Sequence, residues 1–558
     1  MSYDPVTMEV IRNKVNGIVT EMQNAIFRTG YSSVIRESKD ASAGVTDARG
    51  RLVGQAVYHP LHVGVFTPAV EAMQRNYGGE INPGDIFLVN CPYEGGSPHT
   101  NDFMVISPAF VGDDLVAYCC NIAHKPDIGG TVPGSASGGA REIFHEGLLI
   151  PPIKYFDRGA VSREIRRIIG KNSRLPETIL GDLEGQIGCT LVGIQRLRDV
   201  CAKYGTHALT ECFDVVLRYT RDRVLEAIRT WPAGVYEADG WLEHDGVELG
   251  KRKRIHLKLT VRGDWLVFDF EGSDDQTQGP ANVQPHIVNS ICQKAIINFV
   301  DPSLPCNGGV RDVFEARLRD GSILRPRFPA PCSAYFPTAQ LASNVVLKAL
   351  GECLGEKAIA SCGTGAALSV SGLDSRTGRT FVYYEILASA IGARTGLDGV
   401  SGISEDLHNV RIPPVEMVET EYPLMIECLE LITDSGGAGQ FRGGLGYRRA
   451  YRALQDVTIA LRDDKHIIPA WGINGGLPGR TGAAIINPGQ DSEDVLPSKF
   501  AGKRLGRGDL LCIDRPGGGG LGEPKRRERS RVEADVLDGY VSSSQARDVY
   551  GAGEAEQE

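Results

Sequence analysis

Two long apolar runs, FMVISPAF at 103–110 and LVAYCCNIA at 115–123, flank Gly112-Asp113-Asp114. This pair constrains the fold more than any other stretch of the chain. A polar glycine turn between two strand-like runs is a hairpin signal. With the turn centred on residue 113, register follows by reflection and sets Asp102 opposite His124. Directly paired residues have Cβ atoms roughly 4.5–5.5 Å apart. His99 lies three residues before Asp102, in the loop entering the first strand. The pattern therefore predicts that His99, Asp102 and His124 converge at one end of a hairpin. Two imidazoles and a carboxylate suit zinc, manganese or iron(II). Such a set leaves coordination positions for water or substrate, as a catalytic ion requires. The spacing alone also fits polar loop residues at a strand end; the register is what favours a metal.

The pattern changes several times along the chain. Val6, Met8, Ile11, Val15, Ile18, Val19, Met22, Ile26 and Phe27 recur at helical spacing and stop at Gly30, which predicts a long amphipathic helix. SAGVTDARGRLVGQA reads as a hairpin turning at Asp47–Gly50, and a helix is predicted over 66–77. Residues 160–230 read as helical, 235–271 as an antiparallel meander (HLKLTV, WLVFDF), and 286–300 and 337–354 as helices. Short strands with Gly and Pro turns follow to about 522. This is not simple βαβ alternation, so the predicted class is α+β, a mixed multi-layer fold. The expected divisions are an N-terminal metal-binding region over 1–232, a β-rich region with inserted helices over 233–524, and a C-terminal tail over 525–558 with a frayed polar end.

Composition excludes several functions. The net charge of -10 argues against nucleic-acid partners and against an anionic membrane surface. The one basic run, Lys525 to Arg531, reads as a solvated linker. The 13 cysteines include no CxxC pair and many sit in apolar runs, such as Cys119 and Cys120. Buried, reduced thiols in a cytoplasmic protein are expected. No signal peptide or membrane span is predicted. The Gly-rich stretches 434–446 and 515–524 lack the GxxxxGK[ST] phosphate loop, and Glu523-Pro524 follows GGGGLG where a dinucleotide fingerprint needs a helix. They read as structural turns. Ser135 and Ser435 lack the GxSxG context of a nucleophile elbow.

Further candidates lie upstream. In RESKDASAG, Glu37 and Asp40 are each a possible additional carboxylate ligand, against the plainer reading of an exposed loop paired with Arg36 and Lys39. His59 and His62 in YHPLHVG either contact substrate and support the metal or cap the following helix.

With these residues in view, the chain resembles the hydantoinase B family. The resemblance rests on DPVTMEVIRNKV, DARGRLVGQ, HPLHVG, NPGDIFLVNCPYEGG, NIAHKPDIGG, EIFHEGLLIPPIK, DSGGAGQFRGGLG, RPGGGGLGEP and DVLDGYVSSSQARDVYG, in order and nearly end to end. It implies a divalent metal held by His99, Asp102 and His124, with a fourth ligand from Asp40 or Glu37. It also implies a hetero-oligomer with a hydantoinase A-type subunit of actin-like kinase fold, which uses ATP and Mg. The implied reaction is ATP-dependent opening of a cyclic amide (lactam, hydantoin or 5-oxoproline), water attacking an amide phosphorylated by the partner. Asp102 would serve the chemistry as well as the metal, and His59 or His62 would move protons. The alternative is a subunit of an ATP-dependent ketone carboxylase of the acetone or acetophenone type. Two departures bear on substrate choice. Cys91 stands where the family often has aspartate, and GGSPHTND replaces GGTHxPD, which keeps the His-to-Asp spacing but reshapes the loop.

Overall fold

The computed structural model describes residues 4–56, 58–135 and 137–552. The first helix runs Pro5–Thr29, capped by the Asp4 carboxylate, and ends at Gly30. The predicted hairpins then build a seven-stranded sheet. Its strands are β1 (Ala41–Asp47), β2 (Leu52–Gln55), β3 (Ile86–Val89), β4 (Asp102–Val111), β5 (Asp114–His124), β6 (Ile153–Asp157) and β7 (Ala160–Val161), in the order β2-β1-β5-β4-β3-β6-β7. Every pairing is antiparallel.

An antiparallel sheet often alternates apolar and polar residues because one face is wet. Here both faces are covered, which is why β4 and β5 read as unbroken apolar runs. Phe103 and Val105 pack with Ile179 and Leu183 of helix Pro176–Tyr204. Met104 and Ile106 point the other way, into a core shared with Phe66 and Val70 of helix Phe66–Tyr77. That second core runs on across position 232, through Leu257 and Leu259, to Ile291 and Val345 of helices Pro285–Val300 and Tyr335–Leu354. The meander lies here as well. Its strands Gly234–Leu242, Lys253–Arg262 and Trp265–Asp269 are antiparallel, and Phe314–Arg317 adds a parallel edge. Beyond residue 360, a four-stranded and a five-stranded sheet enclose a third core that includes Leu368, Tyr451 and Ile459. The fold is α+β.

The register of the central hairpin is the predicted one, but by a different route. Val111 pairs with Asp114, so the turn is Gly112-Asp113 rather than a loop centred on 113. A bulge then shifts the ladder: Phe110 faces Leu115, whereas Ala109 faces Ala117. One extra residue on one strand moves all later pairs by one. Asp102 consequently faces His124.

Most of the basic run is exposed, as expected of a solvated stretch, but Arg527 is not. The Arg527 side chain is 1% exposed and pairs with Asp398 at 2.7 Å and Asp535 at 2.8 Å. The residues that follow form helices Arg529–Leu537 and Ser543–Asp548; Val532 and Ala546 of these helices and Tyr550 just beyond them pack with Ala438. The polar end expected to fray includes 553–558, which lie outside the described residues. The Gly-rich stretches pack backbone against backbone: a Cβ on Gly517 would stand 1.8 Å from the Ser435 carbonyl oxygen. All 13 cysteines are free thiols, and only Cys306 and Cys428 are less than fully buried. Among the described residues no helix is long and apolar enough to cross a membrane.

Candidate metal centre

Asp102 opens β4 and His124 closes β5, so the hairpin register alone brings them together. His99 is held by the turn before β4, where the Asp102 amide donates to the His99 carbonyl at 3.2 Å. His99 Nε2 lies 3.1 Å from Asp102 Oδ2. One ligand atom from each of His99, Asp102 and His124 falls within 4.8 Å of the others, and all three residues are buried.

The polar accounting at this cluster is incomplete in a way that suits an ion. Neither ring nitrogen of His124 has a hydrogen-bond partner, nor does His99 Nδ1. Buried polar atoms are almost always paired, so such orphans call for an explanation. Two imidazoles beside a carboxylate form a donor set for a borderline divalent ion, and the residues present fit one.

Of the two upstream carboxylates, the fold brings in one. Asp40 is buried just before β1 and accepts the His124 amide on its backbone oxygen at 3.2 Å. Burial and the nearby charge of Asp102 push the Asp40 carboxyl well above its ordinary range. Burial also pushes Asp102 upward, but the charge and hydrogen bond of His99 outweigh it and hold Asp102 down at about 2. A cation between the two acids would relieve the repulsion. Glu37 does not join them: it pairs with Arg36 at 2.8 Å, its side chain 28% exposed. The plainer reading holds for Glu37 and fails for Asp40.

His59 and His62 flank the start of a short 3-10 turn, Pro60–Gly64, and both face the same cavity. Their rings are 5.0 Å apart. His62 Nδ1 sits 2.8 Å from Ser42 Oγ of β1, and His59 Nε2 sits 3.5 Å from Asp40 Oδ1. Burial lowers both basicities, His62 to about 4 and His59 well below its ordinary value.

The cavity has a volume of about 60 Å³, room for a few waters at roughly 10–15 Å³ each. Sequence reasoning missed its far wall. Tyr335 stands 5.2 Å from the His99 ring, and Tyr384 stacks on His124 at 4.3 Å. His408 lines the cavity beside Phe336, with Nε2 3.2 Å from Glu405 Oε2. Arg462 ends strand Val457–Arg462 and donates to the Ser333 carbonyl and the Tyr384 hydroxyl.

Glu146 holds part of this wall from behind. Its Oε1 accepts the amides of Cys332 and Ser333, both at 2.7 Å. Burial raises its carboxyl from 4.5 to about 7. The folded state then binds the proton more tightly than the unfolded chain does. This contribution to stability is fully present below about 4.5 and is lost as pH rises through about 7. Glu146→Gln keeps the acceptor and removes the titration. Urea unfolding at pH 5.5 and 8 should show the variant losing less stability than the wild type, by on the order of 2 kcal/mol. Parallel losses in the two proteins would refute the assignment.

Comparison with known proteins now bears on this geometry. The family model described as hydantoinase B/oxoprolinase matches residues 4–524. The chain belongs to the hydantoinase B/oxoprolinase family. The B component of a putative D-/L-hydantoinase from Pseudomonas sp. (strain NS671) is 30% identical, over 98% of this chain and 95% of its own length. The crystal structure of ATP-dependent caprolactamase from Pseudomonas jessenii superposes with a TM-score of 0.92 at 27% identity, covering 99% of this chain and 96% of that one. A nucleotide-free structure of acetone carboxylase superposes with a TM-score of 0.90 at 20% identity, covering 99% of this chain and 80% of that one. At that identity the last likeness shows a shared fold. The chain shares its architecture with the caprolactamase nearly end to end.

Proposed function

We propose that the chain is the metal-dependent hydrolytic subunit of a two-component, ATP-dependent cyclic amide hydrolase. The observation that carries this reading is the buried convergence of His99, Asp102 and His124, with both His124 ring nitrogens left without a partner. The relatives support the reaction class: one is named as the B component of a hydantoinase and another as an ATP-dependent caprolactamase. Asp40 is the fourth ligand in this reading. A divalent ion held by these four residues would supply Lewis acidity and make water more acidic.

The chain's own groups have distinct tasks. His62, fixed at Nδ1 by Ser42, offers Nε2 as the site that takes a proton from water. His59, beside Asp40, passes it on. The apolar part of the wall, Leu61, Ile386 and Val410, limits access of bulk water. Unstrained amides are poor electrophiles, so activation falls to a partner: an ATP-binding subunit of hydantoinase A type would phosphorylate the amide oxygen. Water addition at the carbon and opening of the C–N bond would leave an acyl phosphate and a free amine; a second water would then release phosphate and give the ring-opened acid.

The test is reconstitution with such a partner, ATP and Mg²⁺, against lactams, hydantoins and 5-oxoproline. Ring opening that depends on ATP, with about one divalent metal per chain by elemental analysis, is expected. Incorporation of labelled bicarbonate into a carbon–carbon bond of a ketone, with no amide opened, would replace this reading by the carboxylase one.

A further inference from the structure

Among the described residues five arginines are buried: Arg442, Arg449, Arg462, Arg515 and Arg527. Burying a guanidinium without a counter-charge is costly, and four of the five obey this. Arg442 lies 3.3 Å from Asp535, Arg449 3.0 Å from Glu385 and Arg527 2.7 Å from Asp398, while Arg515 pairs with Asp463. Arg462 is the exception. It makes no ion pair among the described residues. Its partners, the Ser333 carbonyl and the Tyr384 hydroxyl, satisfy hydrogen bonds but carry no charge.

Arg462 is also the one arginine of the five that lines the cavity. Its guanidinium lies over the Tyr384 ring at 5.5 Å, and that ring stacks on His124. The cation is therefore tied, through one tyrosine, to the proposed metal ligand. Asp40 and Asp102 line the same cavity and offset the cation from a distance. In the proposed function, however, a divalent ion takes up both carboxylates; what remains is Glu146, behind Ser333, which acts on the cation only from a distance and forms no ion pair with it. A guanidinium has five N–H donors in a rigid fork matched to oxyanions. The Ser333 and Tyr384 bonds hold that fork in place and leave donors for another acceptor.

We propose that Arg462 forms an oxyanion-binding subsite, so that the ligand processed in this cavity carries a carboxylate or phosphate group rather than being a neutral amide. This inference rests on the proposed function for the nature of the ligand. Two sources of the charge fit: a phosphoryl group added to the amide oxygen, or a carboxylate on the ring itself.

The test is calorimetric titration of the metal-loaded full chain with inorganic phosphate, with 5-oxoproline, and with the neutral ring 2-pyrrolidone, for the wild type, Arg462→Met and Arg462→Lys. The wild type is expected to bind phosphate or 5-oxoproline, and Arg462→Met to lose at least tenfold in that affinity. Arg462→Lys keeps the charge without the fork and should lose less. It decides the matter if Arg462→Met does not fold. Phosphate binding identifies a phosphoryl subsite. Binding of 5-oxoproline without phosphate or 2-pyrrolidone identifies a ring-carboxylate subsite. A wild type that binds neither anion, or variants that bind as tightly as the wild type, overturns the proposal. Elemental analysis of the same samples separates the two ideas. A wild type that takes up no metal refutes the metal reading, and the anion titrations still report on Arg462.

Discussion

Replacing His124 by alanine is expected to remove the metal and abolish ATP-dependent ring opening while leaving the metal-free chain no less stable. The sign of the second effect is unusual for a buried residue and follows from the polar accounting. Both ring nitrogens of His124 are unpartnered, so the metal-free fold carries their desolvation cost without return. Alanine removes that cost, about 1–3 kcal/mol per unpaired buried group, and loses the stacking on Tyr384, about 0.5–1.5 kcal/mol for an aromatic pair, so the first term outweighs the second. In the presence of metal the comparison reverses, because a ligand that binds only the native state stabilises it by mass action. Metal addition should therefore raise the melting temperature of the wild type and not that of His124→Ala. His99→Ala, Asp102→Asn and Asp40→Asn should behave alike. Groups that merely support a ligand change metal affinity by about 10–100-fold, and loss of a ligand should exceed that. Glu37→Gln is the control and should keep metal and activity, since Glu37 faces Arg36 outside the cavity. Retention of stoichiometric metal by His124→Ala would sink the site assignment.

The half of the cavity that the sequence discloses is the half built by local pairing. Asp102 and His124 are joined by a short turn, so their meeting depends only on strand register, which apolar runs and a glycine turn specify. Even there the bulge at Ala109/Phe110 had no visible signal; it and the misplaced turn centre offset each other. Asp40 could not be separated from Glu37 in the sequence because both sit in one charged segment. What divides them is the backbone path: Lys39 adopts a positive φ of 63°, after which Asp40 enters the sheet interior while Glu37 stays at the surface. The far wall was invisible for another reason. Tyr384 and Arg462 belong to strands that both pair with Ala366–Asp374 in one C-terminal sheet, far in sequence from the hairpin, and FVYYEI and VTIALR each read as ordinary strands. The buried Arg527 was misread because a run of charges looks solvated until its carboxylate partners, Asp398 and Asp535, are known.

The same strand that brings Tyr384 to the cavity carries the second large expected effect, on its opposite face. Strand Arg379–Leu387 alternates: Tyr384 and Ile386 line the cavity, whereas Tyr383 and Leu387 enter the core between the two C-terminal sheets. Glu385 shares that inner face with Tyr383, wholly buried, 3.0 Å from Arg449 of strand Tyr447–Ala453. Its Oε2 also accepts the hydroxyls of Tyr383 at 2.5 Å and Tyr451 at 2.6 Å. Glu385→Ala would leave Arg449 charged in a dry interior and two tyrosine hydroxyls without an acceptor. Breaking a buried pair from one side costs about 3–5 kcal/mol, a large share of the roughly 5–15 kcal/mol that holds a native fold. A sharply lower urea midpoint is expected. Glu385→Gln keeps an acceptor for the tyrosines and isolates the charge, so its loss should be smaller but still clear. Metal affinity of the folded fraction should change little in either variant, since Glu385 faces away from His124. His124→Ala and Glu385→Ala therefore make opposite demands: the first separates metal from fold, and the second weakens the fold while sparing the metal. If Glu385→Ala proves as stable as the wild type, the buried Arg449 has another counter-charge, and carboxylate pairing no longer distinguishes it from Arg462.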